Sequence, residues 1–206
     1  MGSEPAERSG AGAAGGGLLR LLPNAITLAR LCAVPATLWL IIHDRLDHAF
    51  YLFAAAGLSD ALDGWLARRW QVQSPFGAAL DPLADKALLI CTYIGLAWRG
   101  VLPDWLAMLV VFRDVLIMGG VVLLGYLGTV PRMAPLRISK WNTAAQILLA
   151  AAALLVAGFA LPGDRVLDWL IWAVAATTLL SGLAYVVHAL RGGPADDAGK
   201  GPEAPK

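Results

Sequence analysis

The chain has 206 residues, of which 58% are hydrophobic and only 15% are charged. Soluble domains are about 45–50% apolar and about 25% charged, so this composition excludes a water-soluble globular enzyme and a disordered protein. The formal net charge of +1 excludes a nucleic-acid-binding protein whose affinity depends on a basic face. The composition therefore indicates an integral membrane protein.

Six apolar stretches are long enough to cross a bilayer, which takes about 20 residues for each helix. In chain order they cover residues 24–43, 48–70, 76–99, 104–127, 139–161 and 166–190. Polar and turn-forming residues separate them. The sequence thus predicts an all-α membrane domain of six transmembrane helices over residues 18–191. The flanking segments 1–17 and 192–206 lack apolar periodicity, and we expect both to be disordered tails.

The distribution of Lys and Arg predicts the orientation of these spans, because cytoplasmic segments of membrane proteins are rich in both residues. Ten of the 16 lie on the side that holds both tails and the second and fourth loops. Three lie on the opposite side, and three lie within the spans. We therefore predict a multi-pass protein of the bacterial inner membrane with both termini in the cytoplasm.

Four aspartates stand in the second and third predicted spans, where an ionisable group costs roughly 2.5–3.5 kcal/mol. Helical spacing puts Asp60 and Asp63 on one face of the second span, and Asp81 and Asp85 on one face of the third. A tight turn makes these helices antiparallel, so Asp63 lies near the level of Asp81 and Asp60 near that of Asp85. We expect the four carboxylates to converge a few turns inside the cytoplasmic surface.

Four ionised carboxylates at one point repel one another strongly in a low dielectric. Two divalent cations would neutralise them, and a ligand set made only of oxygen favours Mg²⁺, Mn²⁺ or Ca²⁺ over zinc. Gly64 and Gly77 leave room for a bulky group near the backbone, and Arg68 carries a guanidinium fork suited to phosphate. The pattern predicts a two-metal site that handles a diphosphate.

The carboxylates belong to a longer pattern of eight fixed positions. It is Asp60-x-x-Asp63-Gly64-x-x-Ala67-Arg68, then eight residues, then Gly77-x-x-x-Asp81-x-x-x-Asp85. This pattern resembles the signature of the CDP-alcohol phosphatidyltransferase family, with every position filled, and the resemblance covers the chain between its tails. Members of that family cleave a CDP-linked lipid, transfer its phosphatidyl group to an alcohol and release CMP.

The resemblance also implies a role for each residue of the site. Asp60, Asp63 and Asp81 would hold two metal ions, Mg²⁺ or Mn²⁺. Asp85 would contact the second ion and act as general base for the acceptor hydroxyl. Residues at the start of the first span and around the carboxylates would bind the nucleotide of the CDP-lipid: Asn24, Thr27, Arg30, Gly64, Arg68, Ser74 and Gly77. Relatives are homodimers, so a homodimer is implied as well.

Three later segments, at residues 112–115, 138–146 and 177–181, resemble the eukaryotic-type cardiolipin synthase branch of the family. That branch joins CDP-diacylglycerol to phosphatidylglycerol. The alternative within the family is a phosphatidylglycerophosphate synthase, which uses glycerol 3-phosphate as the acceptor.

The charges in these segments bear on the choice of acceptor. The glycerophosphate-using branch tends to show Arg-Glu where Arg113 and Asp114 stand, and a second lysine where Asn142 stands. Arg113, Arg137 and Lys140 beside a neutral Asn142 suit the monoanionic phosphodiester of phosphatidylglycerol better than a dianionic phosphate. The Asn142 amide could equally bind a glycerol hydroxyl.

Some of these residues also have a purely structural interpretation. Arg113 and Asp114 could form only a buried ion pair, and Arg137 and Lys140 could be positive-inside anchors. An ion-coupled transporter would also carry carboxylates at membrane depth. Transporters often show paired repeats with broken spans, and no repeat is evident in this sequence.

Overall fold

The computed structural model describes residues 28–70, 75–126 and 137–191, without the side chains of 60–70, 75–82, 121–125, 137 and 188–191. Within these ranges the backbone forms six helices and no strand. They are α1 (Leu28–Ile42), α2 (Leu46–Trp70), α3 (Pro75–Trp98), α4 (Asp104–Tyr126), α5 (Arg137–Gly158) and α6 (Asp164–Arg191). The prediction of an all-α fold is confirmed.

The helix ends follow local chemistry. Asp47, Asp104 and Asp164 lie in the first turns of α2, α4 and α6, where a negative charge interacts favourably with the helix dipole. Pro75 begins α3, at a position where its missing N–H has no intrahelical partner to lose. Gly100, which has a φ of 70°, reverses the chain after α3. The helices therefore coincide closely with the predicted apolar stretches.

Two helical segments have the length and composition of a membrane span within the described residues. They are Ile138–Gly158, with 21 residues, and Asp164–Val187, with 24 residues. The apolar helix Leu28–Ile42 is shorter. The six-helix count of the prediction is confirmed for the described residues, whereas the crossing of a bilayer by all six stays a prediction.

Helix α5 lies at the centre of the fold, since it packs against α2, α3 and α6, while α4 packs against α3 and α6. Its buried face combines leucine and alanine side chains: Leu149, Ala150, Ala153 and Leu154 are fully buried. Small residues allow helix backbones to approach closely. At the end of α5, a Cβ added to Gly158 would lie only 2.7 Å from the backbone nitrogen of Asp47.

Candidate active site

Helix α1 holds the predicted catalytic base on α3. Arg30 donates a hydrogen bond from Nη1 to Oδ1 of Asp85 over 2.7 Å. Further along, a Cβ added to Gly95 of α3 would lie 3.1 Å from Ile41 and 3.2 Å from Leu38 of α1. Both contacts advance in the same direction along the two helices. Helices α1 and α3 therefore run parallel and side by side, with Asp85 held near the start of α1.

The two partners of this ion pair differ in exposure. The side chain of Arg30 is 2% exposed, whereas that of Asp85 is 41% exposed. The guanidinium thus lies inside the protein, and the carboxylate faces the accessible side. A partly exposed carboxylate on a helix is suited to meet a metal ion or an acceptor hydroxyl, the role that the family resemblance implies for Asp85.

The other predicted metal ligands lie on helical backbone in α2 and α3, and their side chains fall outside the described residues. These ligands are Asp60, Asp63 and Asp81. Among the described side chains, no three His, Cys, Asp or Glu residues come together. Convergence of the four carboxylates therefore stays a prediction.

Most of the predicted nucleotide-binding residues also fall outside the described part. Asn24, Thr27 and Ser74 lie outside it entirely. Gly64 and Gly77 lie on helical backbone, as does Arg68, whose side chain is likewise not described. Arg30 alone has a described side chain, and it contacts Asp85.

A second group of charges joins four helices. Lys86 of α3 donates to Oδ2 of Asp114 over 2.8 Å, and Arg113 donates from Nη1 to Oδ1 of the same carboxylate over 2.7 Å. From Nη2, Arg113 also donates to the hydroxyls of Ser139 on α5 and Ser181 on α6, over 2.7 and 2.5 Å. We call these five residues the polar clamp.

The polar clamp is largely shielded from solvent and carries an excess of positive charge. Arg113 and Asp114 are buried, and Lys86 is largely covered. Asp114 lies between two cations, so the three ionised groups sum to one positive charge. Removing charges from water costs free energy unless they are paired and hydrogen-bonded. Here both carboxylate oxygens of Asp114 accept a hydrogen bond from a cation. The geometry thus supports the structural interpretation of the Arg113–Asp114 pair.

Sequence reasoning missed Lys86, Ser139 and Ser181 as members of this group. Lysine within an apolar span is rare and needs a partner, so Lys86 carried a usable signal. The two serines lie in the segments 138–146 and 177–181 that resemble the cardiolipin synthase branch. No local pattern pairs them with Arg113, because small hydroxyl residues are common between membrane helices.

Asn142, predicted to contact the acceptor, joins α5 to α6. Its side chain is fully buried, and its Oδ1 accepts hydrogen bonds from the hydroxyls of Thr177 and Thr178, both over 2.9 Å. Its Nδ2 has no hydrogen-bond partner among the described residues. Lys140 is exposed, and the side chain of Arg137 is not among those that the structure describes. The acceptor-binding roles of these residues stay predictions.

The sequence model of the CDP-alcohol phosphatidyltransferase family matches residues 20–180. That match includes α1 to α5 and more than half of α6. The chain therefore belongs to the CDP-alcohol phosphatidyltransferase family, which confirms the resemblance drawn from the aspartate pattern. Membership in a family of phosphatidyltransferases argues against the transporter alternative.

The curated relatives are named for two activities. The chain is 38% identical over 183 residues to a cardiolipin synthase (CMP-forming)/mitochondrial hydrolase fusion protein of Schizosaccharomyces pombe. That alignment covers 81% of the chain and 30% of the fission yeast protein. It is also 38% identical over 182 residues to CDP-diacylglycerol–glycerol-3-phosphate 3-phosphatidyltransferase 1, chloroplastic, of Oryza sativa. That alignment covers 80% of the chain and 55% of the rice protein. It is 35% identical to human cardiolipin synthase (CMP-forming), in an alignment that covers 80% of the chain and 60% of the human protein. The chain thus spans less than two thirds of each of these relatives.

Proposed function

We propose that the chain is a cardiolipin synthase that transfers the phosphatidyl group of CDP-diacylglycerol to phosphatidylglycerol and releases CMP. The observation that carries this proposal is the match of relatives bearing that name, from fission yeast and human, over 81% and 80% of the chain. The accessible carboxylate of Asp85 supports it chemically.

The proposal includes a membrane setting. All six helices cross the bilayer, with both termini in the cytoplasm of a bacterium, and the protein is a homodimer. The large exposed side chains on the outer faces of the helices support contact with lipid. Among them are Trp98, Met108, Phe112, Trp169 and Trp172. The excess of Lys and Arg on one side supports the orientation.

Asp60, Asp63, Asp81 and Asp85 would hold two Mg²⁺ or Mn²⁺ ions. The donors fit these ions, because carboxylate oxygen is the ligand that hard cations prefer and the Asp85 carboxylate is accessible. When bound, the ions would neutralise the diphosphate and the charge that develops on the departing CMP. Asp85 would accept the proton of the acceptor hydroxyl, while Arg68 and the residues around it would orient the nucleotide.

The charges at the start of α5 support an anionic acceptor. Asn142 is neutral, so it adds no second positive charge beside Lys140. Lys140, which is exposed on the same helix as Ser139, would add attraction at the surface. These features suit the monoanionic phosphodiester of phosphatidylglycerol.

Phosphatidylglycerophosphate synthesis is the second candidate, because the rice relative of that activity matches as well as the fission yeast relative does. In that case, glycerol 3-phosphate would take the place of phosphatidylglycerol.

Purified protein tests the two candidates when it is given CDP-diacylglycerol, Mn²⁺ and either acceptor separately. The proposal predicts CMP release and cardiolipin with phosphatidylglycerol. Phosphatidylglycerophosphate formed only with glycerol 3-phosphate would establish the second candidate. Absence of CMP release with both acceptors would reject the family chemistry, and Asp63→Asn serves as the inactive control.

A further inference from the structure

We infer that Arg30 is a positioning residue, which acts through Asp85 and not by contact with the nucleotide. This inference rests on the proposed function, since it concerns the base of that reaction. It departs from the role that the family resemblance implies for Arg30.

The relative burial of the two side chains carries the first step. Arg30 is 2% exposed and Asp85 is 41% exposed, with 2.7 Å between Nη1 and Oδ1. A molecule that approaches from the accessible side therefore meets the carboxylate, and the guanidinium supports that carboxylate from inside the protein. Nucleotide contact would require the guanidinium to leave its buried position.

The chemistry of the contact carries the second step. A hydrogen bond between a guanidinium and a carboxylate is charge-assisted and is about twice as strong as a neutral one. It holds one carboxylate oxygen and thereby restricts rotation of the Asp85 side chain. Proton transfer depends on such restriction, because a misplacement of about 1 Å can lower a rate by about 10²-fold.

The packing of α1 on α3 carries the third step. Gly95 brings α3 into close contact with Leu38 and Ile41 of α1, so the two helices are held together at a second point. Arg30 is thus attached to the same rigid pair of helices as the carboxylate that it orients. A side chain on such a frame can hold the base within the narrow range that catalysis needs.

Steady-state kinetics on the full chain separate positioning from nucleotide contact. Arg30→Met removes every donor, and we expect kcat to fall by about 10- to 100-fold with the KM for CDP-diacylglycerol unchanged within about twofold. Arg30→Lys restores a charged donor, and we expect it to recover at least about fivefold of the loss. Arg45→Met, which removes an exposed arginine in the loop before α2, is the matched control and keeps full activity.

Two further measurements complete the test. Equilibrium binding of CMP in Mg²⁺ should be the same for wild type and Arg30→Met, whereas nucleotide contact predicts a clear loss. In an Asp85→Asn background, Arg30→Met should lower kcat by less than about twofold further, because the two residues act as one unit.

Several outcomes would overturn the inference: a raised KM with unchanged kcat, weakened CMP binding, or a full additional loss in the Asp85→Asn background. If Arg30→Met does not fold, as judged by its helical circular dichroism, Arg30→Lys is subjected to the same kinetic and binding measurements. A wild-type protein that releases no CMP would instead reject the proposed function itself.

Discussion

Lys86 and Asp114 join α3 to α4 through an ion pair of 2.8 Å, one residue beyond the proposed catalytic base. Asp114 is almost fully buried and accepts a second hydrogen bond from Arg113. The carboxylate therefore compensates two cations at once and connects the helix of the base to the rest of the bundle. This relationship makes Asp114 the central residue of the polar clamp.

Substitution of Asp114 tests the clamp. Asp114→Asn leaves Lys86 and Arg113 without their shared counter-charge, and we expect the free energy of unfolding in detergent to fall by about 3–5 kcal/mol. Lys86→Met keeps the pair between Asp114 and Arg113, so its loss should be distinctly smaller. Thermal unfolding followed by circular dichroism measures both. An equal or larger loss in Lys86→Met would contradict this assignment.

Substitution of Asn142 tests the choice of acceptor. Asn142→Lys adds a positive charge where the amide now bonds Thr177 and Thr178. We expect the ratio of kcat/KM for glycerol 3-phosphate to that for phosphatidylglycerol to rise about tenfold, or about 1.4 kcal/mol. Asn142→Ala should lower both values without changing their ratio. An unchanged ratio in Asn142→Lys would show that Asn142 only joins α5 to α6.

The close approach of α5 to α2 gives a prediction about packing. In Gly158→Ala the new methyl group would lie within 3.0 Å of backbone atoms of Leu46 and Asp47. We expect a loss of about 1–3 kcal/mol in the free energy of unfolding, as for other overpacked sites. Gly119→Ala on α4 has open space around the new methyl group and is the matched control, with no loss expected. Equal stability of the two variants would contradict the close approach.

Asp85→Asn tests the assignment of the base. The amide oxygen of asparagine can still accept the hydrogen bond from Arg30 but cannot take a proton at neutral pH, so we expect turnover to fall by about 10²- to 10⁴-fold. CMP release at saturating substrate measures this. Near-normal turnover in Asp85→Asn, together with an inactive Asp63→Asn, would show that Asp85 is not the base.

The positions of the helices were predictable from sequence because apolar length and local end signals specify them. Pro75 and the acidic residues in the first helical turns are read directly, and the segments between them are long and uniformly apolar. Which helices pack against each other was harder to predict from the sequence, because an apolar helix gives no indication of which neighbour it contacts. The central place of α5 depends on small residues whose partners are far away in the chain.

In the candidate site, too, single residues were predictable from the sequence, whereas their long-range contacts were not. Arg30 and Asp85 were both predicted as functional, but their mutual contact joins positions 55 residues apart and no local pattern encodes it. Lys86 and Asp114, 28 residues apart, were not predicted to meet. Asp114 was instead considered with its neighbour Arg113, because adjacency is visible in a sequence whereas long-range pairing depends on the fold.

The central claim is that four aspartates of α2 and α3 hold two divalent cations. Electron paramagnetic resonance of the purified protein with Mn²⁺ and CDP-diacylglycerol tests it most directly. We predict two Mn²⁺ ions per chain with the spectrum of a magnetically coupled pair, and loss of the coupling in Asp81→Asn. Removal of the metal with a chelator should abolish CMP release, and added Mn²⁺ should restore it. A single isolated Mn²⁺, or none, in an otherwise active protein would contradict the account.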